Sequence, residues 1–210
     1  MIPRFILLIV LLTILIAQLA WKLESFTEPC ADKLTDREYL EHMIPHHQVA
    51  VDISKMLQKI SKWPKMQEIL RELIWVQEYE IAMMNQMLDT LPADTNWEAM
   101  NRTYLDMVSN SIPPNKIDLT QTYCDPHFFD PEAHMKHLSH MKLDDKMYLE
   151  HMIPHHQVAV DMSKKLLRHT KNDFMIHLAY RIIRSQQDEI ILLTNLLDDK
   201  NYQYQSEMLR

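Results

Sequence analysis

The chain has 210 residues, of which 47% are hydrophobic, and it contains no glycine. This composition excludes a disordered chain, and the lack of glycine excludes phosphate-binding glycine loops and most tight hairpin turns. A formal net charge of -7 argues against nucleic acid as a partner, because phosphate binding requires a basic surface. We therefore expect an all-α protein whose acidic surface suits cations.

The first 23 residues form a separate segment. Residues 5–21 are a hydrophobic run of 17 residues that only Thr13 and Gln18 interrupt. A run of this length fits a short membrane span and also a signal peptide, and the lack of a clean cleavage site favours an uncleaved anchor. With only Arg4 ahead of the span, we expect a single-pass membrane helix with the bulk of the chain on the extracytoplasmic side. Cleavage would instead give a secreted chain.

Cys30 and Cys124 are the only cysteines. An even number of cysteines in a chain that we expect outside the cytoplasm is compatible with a disulfide. Two unpaired buried thiols are the alternative, and the sequence leaves both open.

An internal repeat organises the remainder of the chain. A shift of 109 positions aligns residues 39–52 with residues 148–161, and all 14 positions are identical. Both copies contain the string HMIPHHQVAVD. The same register continues over residues 58–89 and 167–198, where 8 of 32 positions are identical. The contrast indicates that the first part of each repeat was held fixed while the second was free to vary.

Each repeat predicts a helical hairpin. The first helix is expected to begin at the capping box formed by Thr35 and Glu38, and its counterpart at Asp144 or Asp145. Apolar residues at three- and four-residue steps predict second helices over about 64–89 and 173–197. Repeat one then spans residues 30–91 and repeat two spans 144–200, with an insert over 92–143. Two hairpins that each bury an apolar stripe predict a four-helix bundle.

A proline lies inside each first helix. Pro45 and Pro154 each remove one backbone hydrogen bond from the helix, and we expect a kink beside the neighbouring histidines.

The repeated string carries the candidate metal ligands. On a helix, His42 shares a face with His46 and Met43 with His47, while adjacent histidines diverge by roughly 100°. Imidazole binds several transition metals, whereas a thioether selects Cu(I), so copper is the best fit and other transition metals are alternatives. The candidate ligands are His42, Met43, His46 and His47 with their counterparts His151, Met152, His155 and His156.

The second helices keep a glutamine and a glutamate at three-residue spacing. These are Gln77 and Glu80 in repeat one, and Gln186 and Glu189 in repeat two. A buried glutamate needs a partner, and we expect a histidine N–H in that role, because such a contact orients imidazole at metal sites.

Other acidic and methionine residues are assigned to simpler roles. Asp52 and Asp161 are expected to face solvent rather than to bind metal. Three methionines near the end of the second helix are replaced by leucine in repeat two, which favours core packing. They are Met83, Met84 and Met87.

The insert ends in a cluster of histidines and methionines. If this segment is helical, His134 lies one turn from His137, which lies one turn from Met141. A second copper-binding strip is one interpretation, and a polar linker rich in histidine is the other. Its members are His134, Met135, His137, His140 and Met141.

The motif resembles a known family. The string Met43-Ile44-Pro45-His46-His47-Gln48-x-Ala50-x-Asp52, followed by Gln77-x-x-Glu80-Ile81 and repeated in the second half, is similar to the domain of unknown function 305 family. The resemblance implies a ferritin-like four-helix bundle, often exported, with members linked to copper binding and copper tolerance through Met and His side chains. Two departures are Val49 and Val158, where the family commonly has a small residue. The positions carried over are Met43, His46, His47, Gln77 and Glu80, with Met152, His155, His156, Gln186 and Glu189.

The favoured hypothesis is a membrane-anchored protein, not an enzyme, that sequesters, stores or delivers Cu(I) or Cu(II) outside the cytoplasm. No nucleophile with an oriented base is recognisable, and the Glu-x-x-His pairs of di-iron bundles are absent, which disfavours a di-metal oxidoreductase. The alternative is a structural or envelope protein whose histidines pack or sense pH. A homo-oligomer is compatible with either hypothesis.

Overall fold

The computed structural model describes residues 28–31, 33–91, 124–138 and 142–199. Within them, the secondary structure comprises five α-helices, one 3₁₀-helix and no strand, which confirms the all-α class. The helices are α1 Asp36–Ile60, α2 Pro64–Thr90, α3 Pro131–Leu138, α4 Asp145–Leu166 and α5 Asp173–Asp198, and the 3₁₀-helix Pro126–Phe129 precedes α3.

The predicted N-terminal anchor lies outside the described residues, as do His140 and Met141. None of the helices within the described ranges combines the length and the apolar character that crossing a membrane requires.

The helix starts follow the predicted capping signals. Thr35 Oγ1 accepts a hydrogen bond from the Glu38 backbone N–H at 3.2 Å, and Glu38 Oε2 accepts one from the Thr35 backbone N–H at 2.8 Å. At the start of α4, Asp144 Oδ1 accepts a hydrogen bond from the Met147 backbone N–H at 2.9 Å. These contacts satisfy backbone donors that have no partner within the helix, and both predicted starts are confirmed.

The two repeats form two helical hairpins that share a core. Helix α1 packs on α2, α4 packs on α5, and the hairpins meet along α1 and α4. One apolar cluster combines Leu70 and Leu73 of repeat one with Leu149 of repeat two. The other combines Leu40 with Ile182. Because each cluster draws on both repeats, neither hairpin buries its apolar face alone, and the result is a helical bundle.

Two reciprocal hydrogen bonds set the register of α1 against α4. The Tyr39 hydroxyl lies 2.7 Å from Ser163 Oγ, and the Tyr148 hydroxyl lies 2.7 Å from Ser54 Oγ, with all four side chains buried. Tyr148 and Ser163 are the repeat-two counterparts of Tyr39 and Ser54. The two helices therefore run antiparallel across a pseudo-twofold axis, which brings the two histidine motifs to the middle of the contact.

The end of the insert is anchored to the bundle. Cys30 and Cys124 form a disulfide with a Cα–Cα distance of 6.2 Å, which joins the segment before α1 to the segment before the 3₁₀-helix. The 3₁₀-helix and α3 both pack against α1. Phe128, His134 and Leu138 are buried, so this part of the insert is not a solvated linker.

Candidate metal centre

The two repeated motifs meet at a pair of histidines. The rings of His46 on α1 and His155 on α4 have their centroids 3.8 Å apart and are tilted by 33°. Both side chains are completely buried, and none of their four ring nitrogens has a hydrogen-bond partner. Buried polar atoms are ordinarily paired, so four unpaired nitrogens at one point in the core require an explanation. His46 and His155 are called the central pair.

A histidine hydrogen-bonded to a glutamate flanks the central pair on each side. His47 Nε2 lies 2.9 Å from Glu80 Oε2, and His156 Nε2 lies 2.5 Å from Glu189 Oε2. These are the histidine–glutamate contacts that the sequence predicts. With Nε2–H donating to the carboxylate, Nδ1 of each ring keeps its lone pair. Both Nδ1 atoms are buried without a partner, so each is available to a metal ion.

The four imidazoles form a continuous row across the bundle. The ring centroids of His47 and His46 are 6.1 Å apart, and those of His155 and His156 are 6.0 Å apart. With the central pair between them, the row begins and ends at a hydrogen-bonded glutamate. The pseudo-twofold axis passes through its middle.

Burial keeps these rings in the form that binds metals. Desolvation, followed by the neighbouring histidines, holds the pKa of His46 and of His155 well below the usual range. Desolvation and the nearby His134 lower the pKa of His151 to about 4. Unprotonated imidazole is the state that a metal ion requires, so at neutral pH these rings need not lose a proton first.

The surroundings of the row are less symmetric than the row itself. Gln186 Nε2 of repeat two lies 3.4 Å from His47 Nε2 of repeat one, and Ser185 donates a hydrogen bond to Glu80 Oε1 at 3.4 Å. The counterpart Gln77 is buried, yet neither its amide oxygen nor its amide nitrogen has a hydrogen-bond partner.

Two phenylalanines of the 3₁₀-helix cover the central pair. The Phe128 ring centroid lies 4.9 Å from that of His155, and the Phe129 ring centroid lies 5.1 Å from that of His46. The Cys124 disulfide holds this segment in place. The cover excludes water from the pair, which strengthens any interaction between a bound cation and its ligands.

The first histidine of each motif has a different environment in the two repeats. His42 is buried with its ring 6.4 Å from that of Phe129. Its counterpart His151 lies 4.8 Å from His134 of the insert and 5.8 Å from His155, measured between ring centroids. Repeat two therefore has a chain of imidazoles leading away from the central pair.

The insert also contributes an exposed pair of histidines. The rings of His127 and His137 are 5.7 Å apart, and His127 Nδ1 lies 2.9 Å from Asp125 Oδ1. Partial burial acts to raise the pKa of the Asp125 carboxyl, but hydrogen bonds from the His127 backbone and ring outweigh it, and that pKa is lowered. Met135, which the sequence groups with these histidines, packs against the apolar core instead.

Comparison with known proteins places the chain in a family. The family model described as Domain of unknown function (DUF305) matches residues 36–197, which include both repeats and the insert. The chain belongs to this family. A viral relative, Uncharacterized protein L153 of Acanthamoeba polyphaga mimivirus, is 46% identical over 61 residues, which are 29% of this chain and span 40% of the length of that protein.

Solved structures of CopM resemble this DUF305 chain over most of its length. CopM in the Cu(II)-bound form is 26% identical with a TM-score of 0.54, and the match covers 79% of this chain and 97% of that chain. CopM in the Cu(I)-bound form is 28% identical with a TM-score of 0.51, covering 78% and 95%. CopM in the Ag-bound form, obtained by soaking, is 27% identical with a TM-score of 0.52, covering 78% and 95%.

The methionines of the DUF305 motif lie in the apolar core beside the row. Met43 and Met152 are completely buried and belong to the two different core clusters. Met84 is also completely buried, while Met83 and Met87 pack against the core from its edge, in keeping with their assignment to core packing.

The aspartates of the motif differ from the expectation. Asp52 and Asp161 are partly buried rather than solvent-facing. Each accepts a hydrogen bond from the glutamine one turn earlier, Gln48 at 2.8 Å and Gln157 at 2.9 Å. A glutamine at this spacing gives the carboxylate a partner within the helix, which offsets the cost of removing it from water.

The candidate ligands do not converge on one point. Among the residues that the structure describes, no three His, Cys, Asp or Glu side chains are arranged so that they could hold a metal ion. The donors instead form pairs along a row. Such an arrangement suits an ion that accepts few ligands and moves between them.

Two features of the site were not predicted from the sequence. Phe128 and Phe129 lie in the insert, which has no counterpart in the repeat. Only the disulfide indicates that this segment lies close to the motif. The Tyr–Ser contacts had a recoverable signal, because the repeats are identical again at Ser54 and Lys55, just after the shared motif.

Proposed function

We propose that this protein binds copper, as Cu(I), at the row of buried imidazoles and thereby sequesters, stores or delivers it. The observation that carries the proposal is the central pair, in which both rings are completely buried and all four ring nitrogens lack partners. Leaving a polar atom buried and unpaired costs about 1–3 kcal/mol. Coordination of a metal ion would give these nitrogens the partner that the folded chain does not provide.

Charge balance supports the same proposal. A buried cation requires a nearby negative charge, and the row ends in a glutamate on each side. The carboxylates of Glu80 and Glu189 contact the outer rings His47 and His156. They both orient the rings and offset the charge of an ion held between them.

The donor set favours copper over zinc. A structural zinc site is closed by four ligands in a tetrahedron, and the described residues supply no such set. Imidazole is a good ligand for copper, and the completely buried thioethers of Met43 and Met152 would add preference for Cu(I). The resemblance to CopM, whose structures include Cu(I)-, Cu(II)- and Ag-bound forms, supports copper as the metal.

The proposed role is binding rather than catalysis, in an extracytoplasmic location. The Cys30–Cys124 disulfide supports that location, because such bonds persist in oxidising compartments. The hydrophobic run over residues 5–21 supports attachment to a membrane with the bundle outside the cytoplasm.

A competition titration tests the proposal. The full chain, kept in a mild detergent, is titrated with Cu(I) against a chromophoric chelator and separately with Zn(II). Tight Cu(I) binding is expected in the unmodified chain, and its loss is expected in the double variant His46→Gln, His155→Gln with an unchanged circular dichroism spectrum. His177→Gln on the exposed face of α5 is the control. Met43→Leu with Met152→Leu tests the thioethers, and weaker Cu(I) binding is expected.

Two results would reject the proposal. If the chain binds Cu(I) no better than the unfolded chain does, the histidines serve packing or pH sensing. If the double histidine variant unfolds, His46→Leu is tested in its place. The leucine side chain removes two unpaired nitrogens from the buried site and adds no polar atom. Retained Cu(I) affinity in a folded His46→Leu variant would exclude the central pair as the site.

A further inference from the structure

We infer that exposed aromatic side chains on α2 and α5 form a docking surface for the headgroup layer of a phospholipid bilayer. The surface is defined by Trp75 and Tyr79 of α2 together with Arg181 of α5, and it is called the aromatic face. The inference goes beyond metal binding, and it rests on the membrane attachment in the proposed function.

The first argument is the exposure of large aromatic side chains. Trp75 is 69% exposed and Tyr79 is 46% exposed. Their rings are stacked, with centroids 6.1 Å apart and planes tilted by 9°. The Arg181 guanidinium of the other repeat lies 5.4 Å from the centroid of the Tyr79 ring. The adjacent Tyr180 is 60% exposed and adds aromatic surface on α5. Exposed apolar surface that continues across two helices marks an interaction site.

The second argument is that the fold does not require aromatic residues at these positions. The repeat-two counterparts of Trp75 and Tyr79 are Arg184 and Asp188. Both are exposed on α5, at the equivalent positions of the equivalent helix. Since a charged side chain fills each position in repeat two, the aromatic side chains of repeat one serve a contact outside the bundle.

The third argument is the place of the aromatic face on the bundle. The described part of the insert packs against α1, and its Phe128 contacts His155 of α4. This part of the insert therefore covers the side that α1 and α4 form. The aromatic face lies on the other two helices, so a bilayer can approach it without displacing the segment that covers the central pair.

The fourth argument identifies the bilayer as the occupant. The hydrophobic run ends at residue 21, and residues 22–35 join it to the start of α1. A chain of that length spans at most about 50 Å, so the attached bundle stays close to the bilayer. Tryptophan and tyrosine concentrate at the headgroup level of membranes, because each ring has an apolar body and one polar group. The stem of Arg181 can lie along apolar surface while its charge stays among the phosphates.

Quenching of tryptophan fluorescence by brominated phospholipid tests the inference in the full chain. The chain is placed in phosphatidylcholine vesicles that contain phosphatidylglycerol, and Trp21 and Trp97 are replaced by Phe so that they do not contribute. Trp63 is buried and stays in every variant as a common background. One variant keeps Trp75, a second carries Trp75→Phe, and a third combines Trp75→Phe with Glu132→Trp. Glu132 is exposed on α3 of the insert, away from the aromatic face.

The expected result is a difference between the two exposed positions. After subtraction of the background, we expect brominated lipid to quench Trp75 about twice as strongly as the indole introduced by Glu132→Trp, because a ring at the headgroup level lies close to the labelled acyl chains. The quenching of Trp75 should not depend on the number of chains in each vesicle.

Three results would overturn the inference in different ways. Equal quenching at the two positions would remove the docking surface and leave the attachment in place. If lipid does not quench Trp75, and its emission shifts as more chains are placed in each vesicle, the occupant is a second copy of the chain. If the chain does not float with the vesicles in a density gradient, the attachment fails together with the docking surface. None of these results changes the Cu(I) titration, so failure of copper binding remains a separate outcome.

Discussion

The two repeats carry the same motif but not the same site. Their first helices place His46 and His155 face to face, with the outer rings at nearly equal distances on both sides. Away from the axis the repeats differ. Glu80 is completely buried, whereas the side chain of Glu189 is 16% exposed. The comparison teaches that the symmetry is closest at the contact between α1 and α4 and weakens away from it.

The insert is the source of the difference. It packs its 3₁₀-helix and α3 against α1, and it gives His42 and His151 different neighbours. A duplication whose copies are free to acquire different surroundings can keep one shared pair of histidines while the residues around that pair diverge.

Removing the disulfide should have the largest effect, because it holds the asymmetric insert on the bundle. The bond joins residues separated by 94 positions, and closing a loop of that size stabilises the folded state by about 4–5 kcal/mol. We expect the double variant Cys30→Ser, Cys124→Ser to lose that much free energy of unfolding in a urea titration. The reduced unmodified chain is the control and should match it. A loss below about 1 kcal/mol would show that packing alone holds the insert.

Local chemistry explains which parts of this fold the sequence reveals. The capping box at Thr35, the first-turn Pro64 and the apolar periodicity of the second helices act within a few residues of chain, so the helix boundaries follow from them. The hydrogen bond between His47 and Glu80 is also recoverable, since a glutamate on an apolar stripe requires a partner and the repeat shows which glutamates were kept.

Contacts between distant segments are not recoverable in this way. Whether the motifs meet at the axis depends on the register of α1 against α4, and the contact that sets it joins Tyr39 and Ser163 of different repeats. The pairing of His134 with His151 depends on the path of an insert without a repeat counterpart. The expectation that Asp52 and Asp161 face solvent was wrong because it considered each helix alone, whereas in the bundle both side chains are partly buried.

Acid should destabilise the metal-free protein, and His151 should account for part of that effect. Burial and His134 lower the pKa of His151 to about 4, so between pH 6.5 and 4 the unfolded chain binds a proton that the folded chain does not. The stability attached to this ring is present above pH 6.5 and decreases as the pH falls, by about 3 kcal/mol at pH 4. Urea unfolding from pH 7.5 to 4 should give a flatter dependence for His151→Phe than for the unmodified chain. His177→Phe, at an exposed position, should keep the steep dependence, and an equally steep profile for His151→Phe would contradict the assignment.

The two glutamates should differ in their effect on Cu(I) binding. Loss of a carboxylate that orients a metal-bound histidine typically costs roughly 10–100-fold in affinity. We expect Glu80→Gln to lie nearer the upper end and Glu189→Gln nearer the lower end, because Glu80 is completely buried and also accepts a hydrogen bond from Ser185. Competition with a chromophoric chelator measures both. Equal losses would mean that burial of the carboxylate does not matter to the site.

The smallest expected effect is a difference in stability between variants of the two Tyr–Ser hydrogen bonds that set the register. When Tyr148 is replaced by Phe, Ser54 Oγ keeps its hydrogen bond to the Ala50 carbonyl oxygen at 2.6 Å. Replacing Tyr39 by Phe instead leaves the buried Ser163 hydroxyl without its Tyr39 partner. A buried hydroxyl that loses its partner costs more than a lost bond alone, so we expect about 2 kcal/mol for Tyr39→Phe and about 1 kcal/mol for Tyr148→Phe in urea unfolding. Adding Ser163→Ala to Tyr39→Phe should recover part of the loss, because it removes the unpaired group. A larger loss of stability in Tyr148→Phe than in Tyr39→Phe would contradict this explanation. The two hydrogen bonds would then contribute to stability for a reason other than the pairing of the serine hydroxyls.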